Sequence, residues 1–265
     1  MKNTFVNPLK DNKICTNTFF DFFTEYQKII NLYLFIIHVV GKVDENRILA
    51  ITALNDVARD ATEREKYEQQ LEKKDPALSE LKNYSSQLSR YLVTNCSDLF
   101  VLYCKDIVKA ALKSNRELLK AKEFNIRYDE IEKFRSINDF RNHIIEKKIS
   151  SIVETIDDIE DEITKLVHIE KIFQSNVLLK IFLNIRNIYV HNKGIVDDKF
   201  IKKSPEHEEF NFVKGKRFHV DFEKFILLSN NCINSAYQID ELISKKHKIQ
   251  RRKSSYWDAK KNKAT

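Results

Sequence analysis

Apolar residues recur at helical steps along almost the whole chain. Phe19, Phe22, Phe23, Tyr26, Ile30, Tyr33 and Ile37 share one face of a helix predicted over residues 18–40, after a polar lead-in. Gly41 is expected to end it, and Asp44 to cap a second helix over residues 45–75 that becomes highly charged. The two predict a helical hairpin laid against the main body. Pro76 marks a boundary near 75–84. Leu88, Leu92, Leu99, Leu102, Val108 and Leu112 predict an amphipathic helix over 85–113, followed by short helices and turns over 115–145. Ile152, Ile156, Ile159, Ile163, Leu166 and Phe173 predict another over 147–173. Phe222, Phe225, Leu228, Cys232, Ile239 and Leu242 predict the last, over 221–244. Residues 211–220 alternate around Gly215 and are expected to form at most a small β-hairpin.

One helix departs from the two-faced pattern. In residues 176–191, Val177, Leu178, Phe182, Ile185 and Tyr189 form a stripe. Leu179, Ile181, Leu183, Ile188 and Val190 widen it until little of the helix is polar. Such a helix is buried in a bundle or at a subunit interface. Yet Arg186, Asn187, His191 and Asn192 sit within or beside it, and Gly194 stands where a left-handed glycine closes a helix. Burying such groups is costly unless they are paired or face a cleft.

Composition narrows the classes. The 265 residues include three glycines and three prolines, against about 12% in ordinary proteins. Sheet-rich folds need more turn residues, so the expected fold is all-α: a helical bundle (79–245) behind an N-terminal helical region (1–78), with a basic tail (246–265). Gly41, Gly194 and Gly215 are too far apart to write a GxGxxG, P-loop or GxSxG site. Cys15, Cys96, Cys104 and Cys232 form no CxxC pair, which argues against zinc and a disulfide framework and fits a reducing cytoplasm. The longest apolar run, Ile29 to Val40, falls short of the ~20 residues a bilayer requires. No signal peptide is read at the N-terminus. The +7 net charge is concentrated: residues 245–265 carry nine Lys/Arg and one Asp. With Tyr256 and Trp257 interleaved, Arg251, Arg252 and Lys253 suit a single-stranded nucleic acid, and a disordered solubilising tail is the other reading.

Arg186-Asn187-x-x-Val190-His191-Asn192-x-Gly194 resembles the R-x4-6-H signature of the HEPN superfamily, helical ribonucleases common among toxins and phage-defence proteins. The helix over 85–113 looks like the first long helix of that bundle, and the resemblance extends over roughly residues 80–245. It implies a metal-independent endoribonuclease without cofactor, acting as a homodimer with both motifs lining one cleft. RNA is the implied substrate, and an antitoxin or defence-system protein a partner. Arg186, His191 and Asn187 take the catalytic places, with Asn192 and Lys193 against RNA.

The chemistry of the residue types agrees. Metal-free cleavage must deprotonate the 2′-hydroxyl, protonate the leaving 5′-oxygen and offset charge on the phosphate. Histidine serves either proton step; an arginine fork matches phosphate oxygens. Five residues along a helix amount to a rotation of about 140°, so Arg186 and His191 do not share a face. They meet if the helix loosens near Gly194, or across a two-fold axis.

Other polar residues have plainer readings. His38, His143 and His168 read as core or surface residues, and Asp98, Asp106 and the acids 157–162 as solvated faces. Arg141 and Glu146, which echo the motif and could be argued as a second site, read as a coincidence or an ion pair on a surface helix. Arg217 and His219 are second-choice site residues. Two alternatives to the nuclease stand: a non-catalytic RNA- or partner-binding module, and a scaffold in which Arg186 and His191 satisfy buried groups.

Overall fold

The structure, a computed structural model, describes residues 13–73, 75–119, 134–150, 156–168 and 176–261. In chain order the helices are α1 (Asn17–Asp56), α2 (Ala61–Leu71), α3 (Pro76–Asn83), α4 (Ser85–Ser114), a 3-10 turn (Arg116–Leu119), α5 (Ile137–Ser150), α6 (Ile156–Val167), α7 (Val177–His191), α8 (Asp198–Lys203), α9 (Phe222–His247) and α10 (Ser254–Lys261). Strand β1 (Ile14–Cys15) pairs antiparallel with β2 (Arg252–Lys253). The fold is all-α, as the scarcity of glycine and proline requires.

Helix α4 is the central strut, with α1, α5, α6, α7 and α9 packed around it. Its buried face, Leu92, Val93, Cys96, Phe100, Tyr103, Cys104, Ile107, Val108, Ala111 and Leu112, follows helical steps. Each fully buried large aliphatic or aromatic side chain contributes roughly 1.5–3 kcal/mol relative to exposure. The first turns of α1 insert Phe19, Phe22, Phe23 and Tyr26 into the same core, where the Phe22 ring meets Tyr103 at 4.9 Å. The core is therefore continuous from residue 19 through the bundle.

The predicted hairpin is built differently from the expectation. Helix α1 runs straight through Gly41 to Asp56. A mid-helix glycine costs only about 1 kcal/mol, and nothing here supplies the closing turn that makes it a stop. Asp44 caps no helix that follows it directly. It is buried, and its carboxylate accepts from the Ala77 and Leu78 amides, both at 2.9 Å, so it caps α3 from inside α1. Pro76 opens α3, where its missing N–H costs nothing. Arg47 donates to the Gln70 and Lys73 carbonyls at the end of α2. Asp60, not Asp44, caps α2.

Residues 211–220 hold an isolated bridge, Ile195 to Arg217, and no ladder; the two-stranded pairing lies between Ile14–Cys15 and Arg252–Lys253. The helix expected over 147–173 is seen as α6 and the end of α5, with 151–155 and 169–173 outside the described residues. Residues 262–265 of the tail also lie outside them. The rest of the tail is built into the fold: Trp257 is buried, and its ring N–H donates to the Cys15 carbonyl at 2.9 Å. Among the described residues no helix is long and apolar enough to cross a membrane.

Candidate functional site at the end of the buried helix

Helix α7 is capped by Asn176, whose side chain accepts from Leu179 N at 3.0 Å. From there Leu179, Ile181, Phe182, Leu183, Ile185, Ile188 and Tyr189 are buried. Their partners are α4 and α9 of the same chain, so the bundle itself accounts for the all-round apolar pattern. Only the end of α7 is open: Val190, His191 and Lys193 are exposed.

That end is closed by a glycine turn. Gly194 sits at φ +82°, and its N–H donates to the Ile188 carbonyl at 2.8 Å. An added Cβ would stand 3.2 Å from the Tyr189 ring. Lys193 also adopts a left-handed φ, +52°. The Asn192 amide donates to the Ile195 carbonyl at 2.7 Å and to Asp197 at 3.4 Å. Phe218 N donates to the Gly194 carbonyl at 2.9 Å, and Tyr189 OH accepts from Val220 N at 3.1 Å. These bonds fix the segment 194–220 over the end of α7.

Arg186 and Asn187 come together; His191 does not join them. The Arg186 Nε donates to Asp98 Oδ1 at 2.8 Å, and its Nη1 to Asn187 Oδ1 at 3.3 Å. The arginine side chain is 12% exposed, that of Asp98 48%. The pair borders a depression of about 180 Å³ lined by Asp98, Val101, Leu102, Lys105 and Arg186. His191 is absent from that lining and stands in solvent, hydrogen-bonded to none of the described residues. The helix is regular through His191, so Gly194 loosens nothing before it.

Asp98 is the residue whose role the sequence concealed. As one acid on a long helix it reads as a solvated face; only the packing of α4 on α7 makes it the guanidinium's partner. Three lysines also follow one another along that helix. Lys105, Lys109 and Lys113 lie four residues apart, and the last two line a second depression, about 390 Å³, with Asn17, Asp21, Glu25 and Asp106. Leu102 borders both depressions. Burial first, then the nearby Glu146 and Asp21 carboxylates, push the Asp106 carboxyl up, against the pull of Lys109 and Lys113. Lys109 is paired with Glu146, so Glu146 bonds across to α4 and not to Arg141.

The tail cations fare differently. Arg251 donates to the Ile14 carbonyl at 2.7 Å and lies 3.7 Å from Asp240, which is wholly buried. Arg252 and Lys253 form β2, and the Arg252 guanidinium stacks over Tyr256 at 5.7 Å. All four cysteines are buried free thiols, and burial pushes Cys15 and Cys96 up to about 12, which leaves them unreactive. Among the described residues no three His, Cys, Asp or Glu side chains gather as a metal would need. Compared with family models, with curated proteins and with solved structures, the chain matches none.

Proposed function

We propose that the protein is a metal-independent endoribonuclease of HEPN type, acting as a toxin or phage-defence effector, with Arg186 and His191 as its working pair. The observation that supports the reading is the exposure of His191 at the end of an otherwise buried helix. A histidine fixed to a rigid helix end and open to solvent can reach a ribose hydroxyl or a leaving oxygen. Arg186, held by Asp98 and Asn187 at the edge of a depression, supplies the phosphate fork. Because the two side chains diverge within one chain, the reading puts the cleft between two copies. His191 of one then works with Arg186 of the other on a shared RNA strand.

The test is cleavage of single-stranded RNA in EDTA. Wild type is expected to leave cyclic-phosphate ends. His191→Ala and Arg186→Ala each abolish cleavage while circular dichroism is unchanged. An equal mixture of the two variants recovers about a quarter of the wild-type rate, because half the dimers are mixed and each then keeps one intact site. Full activity in His191→Ala sinks the assignment.

One observation favours a second reading, a non-catalytic RNA- or partner-binding module. The Arg186–Asp98 ion pair already neutralises the fork. RNA binding by pure protein without cleavage under any condition decides for it.

A further inference from the structure

The second half of α1 carries an apolar face that nothing among the described residues covers. Nine of the nineteen exposed large hydrophobic residues lie between Leu32 and Val57. Phe35 is 63% exposed, Leu49 68% and Val57 72%. At 100° per residue, Leu32, Phe35, Val39, Val43, Leu49 and Val57 fall within an arc of about 120°. Ile30, Asp44 and Ile51, the buried side chains of this stretch, lie on the opposite side. The stripe is about 38 Å long and, at one helix width, roughly 400 Å² in projection. That is the size of the largest apolar patch on an ordinary monomer, which is often functional.

We propose that this face binds a second copy of the chain, the two α1 helices packing antiparallel about a two-fold axis near residue 44. Size and charge both select this occupant and this direction. The stripe is bulky at its start and small at its end: Leu32 and Phe35 against Ala50 and Ala53. An axis at 44 sets Phe35 on Ala53 and Val39 on Leu49, filling space on both sides. Lys42, exposed and paired with Glu45 of its own chain, comes beside Glu45 of the second copy as well, and Lys28, paired with Glu25, comes near the exposed Asp56 and Asp60, with Arg59 between them. A parallel, in-register pair instead sets Lys28 on Lys28, Lys42 on Lys42 and Phe35 on Phe35. Two-fold pairing makes every contact occur twice, so a face complementary to itself when reversed is what a closed dimer requires. The area is below the ~800 Å² per partner of a standard interface, so the dimer is weak and concentration-dependent.

The proposal uses no residue of the Arg186 depression and does not rest on the nuclease reading. Sedimentation equilibrium of the full chain tests it. The apparent mass should rise with concentration from the 31.4 kDa monomer to twice that value through this face alone, and beyond it if copies also pair at the α7 ends. Leu49→Glu, at an exposed position, should weaken dimerisation at least about tenfold with unchanged circular dichroism, since a charge is desolvated twice. K42E and E45K should each weaken it, because each creates two like-charge contacts. Their equal mixture should recover, because the mixed dimer restores both opposite-charge contacts. A monomer at every concentration overturns the proposal, as does a dimer indifferent to Leu49→Glu. Charge variants that fail to recover on mixing overturn the antiparallel arrangement. Monomers that co-sediment with phosphatidylcholine–phosphatidylglycerol vesicles overturn it in favour of a lipid surface.

Discussion

Two arginines of this chain face an aspartate, and the contrast between them separates structure from candidate chemistry. Arg251 reaches Asp240, which is 0% exposed and also accepts from Thr16 N at 3.1 Å and from the Thr16 hydroxyl. That pair sits under the β1–β2 pairing and joins the start of α1 to α9. Arg186 reaches Asp98, whose carboxylate is half in water. The first pair has lost its solvent and is committed. The second keeps water on its carboxylate, although its arginine is as buried as the first, 12% exposed against 16%. Both look alike in a sequence, as cations within a plausible RNA-binding motif or tail; burial of the aspartate is what distinguishes them.

The largest effect should come from the committed pair. Arg251→Met leaves the buried Asp240 charge without its cation and is expected to cost roughly 3–5 kcal/mol, read by urea unfolding. The pH dependence has a definite sign. Burial raises the Asp240 carboxyl from 3.8 to about 6, against the opposing Thr16 hydrogen bonds and Arg251. A raised carboxyl means the folded state holds its proton more firmly. Its contribution is fully present below about pH 4 and lost as pH rises through about 6. The stability of wild type minus that of Asp240→Asn should therefore fall across that window, by no more than roughly 3 kcal/mol. A flat difference would show that the carboxylate is not desolvated.

A smaller effect is expected at the closing turn of α7. Gly194→Ala places a Cβ in a left-handed backbone at 3.2 Å from Tyr189. It should cost about 1–2 kcal/mol in unfolding experiments. The smallest stability change belongs to the pair whose carboxylate is half in water. Asp98→Ala should cost under about 1 kcal/mol, the range of surface ion pairs. It should nevertheless tighten RNA binding about fivefold, the worth of one screened unit charge, ~1 kcal/mol. Binding left unchanged would put Arg186 with Arg251 as a structural residue and erase the contrast.

How much of this was legible depends on whether a residue acts within its own helix. The steps of Leu88 to Leu112 and of Phe222 to Leu242 match the bounds of α4 and α9 closely, although Leu102 and Leu242 of those stripes lie exposed. Gly194 as the end of α7 was readable from its place after the last periodic residue. Asp44 was not: its carboxylate serves amides 33 and 34 residues away, which no local signal announces. Trp257 and Arg251 were misleading because composition counts charges and rings without saying which are spent on packing. The pairing of Arg186 with Asp98, 88 residues apart, is of the same kind. At the candidate site the residue types were visible; their partners were not.

The bond from Asp240 to Thr16 closes a span of 224 residues. Helix α1 leaves the ribosome 224 residues before the carboxylate that anchors its first turn. A nascent chain stalled before α9 holds Phe19 to Tyr26 with no carboxylate for Thr16 to donate to and no α9 wall beside them. Those aromatics then become the stretch a chaperone would grasp.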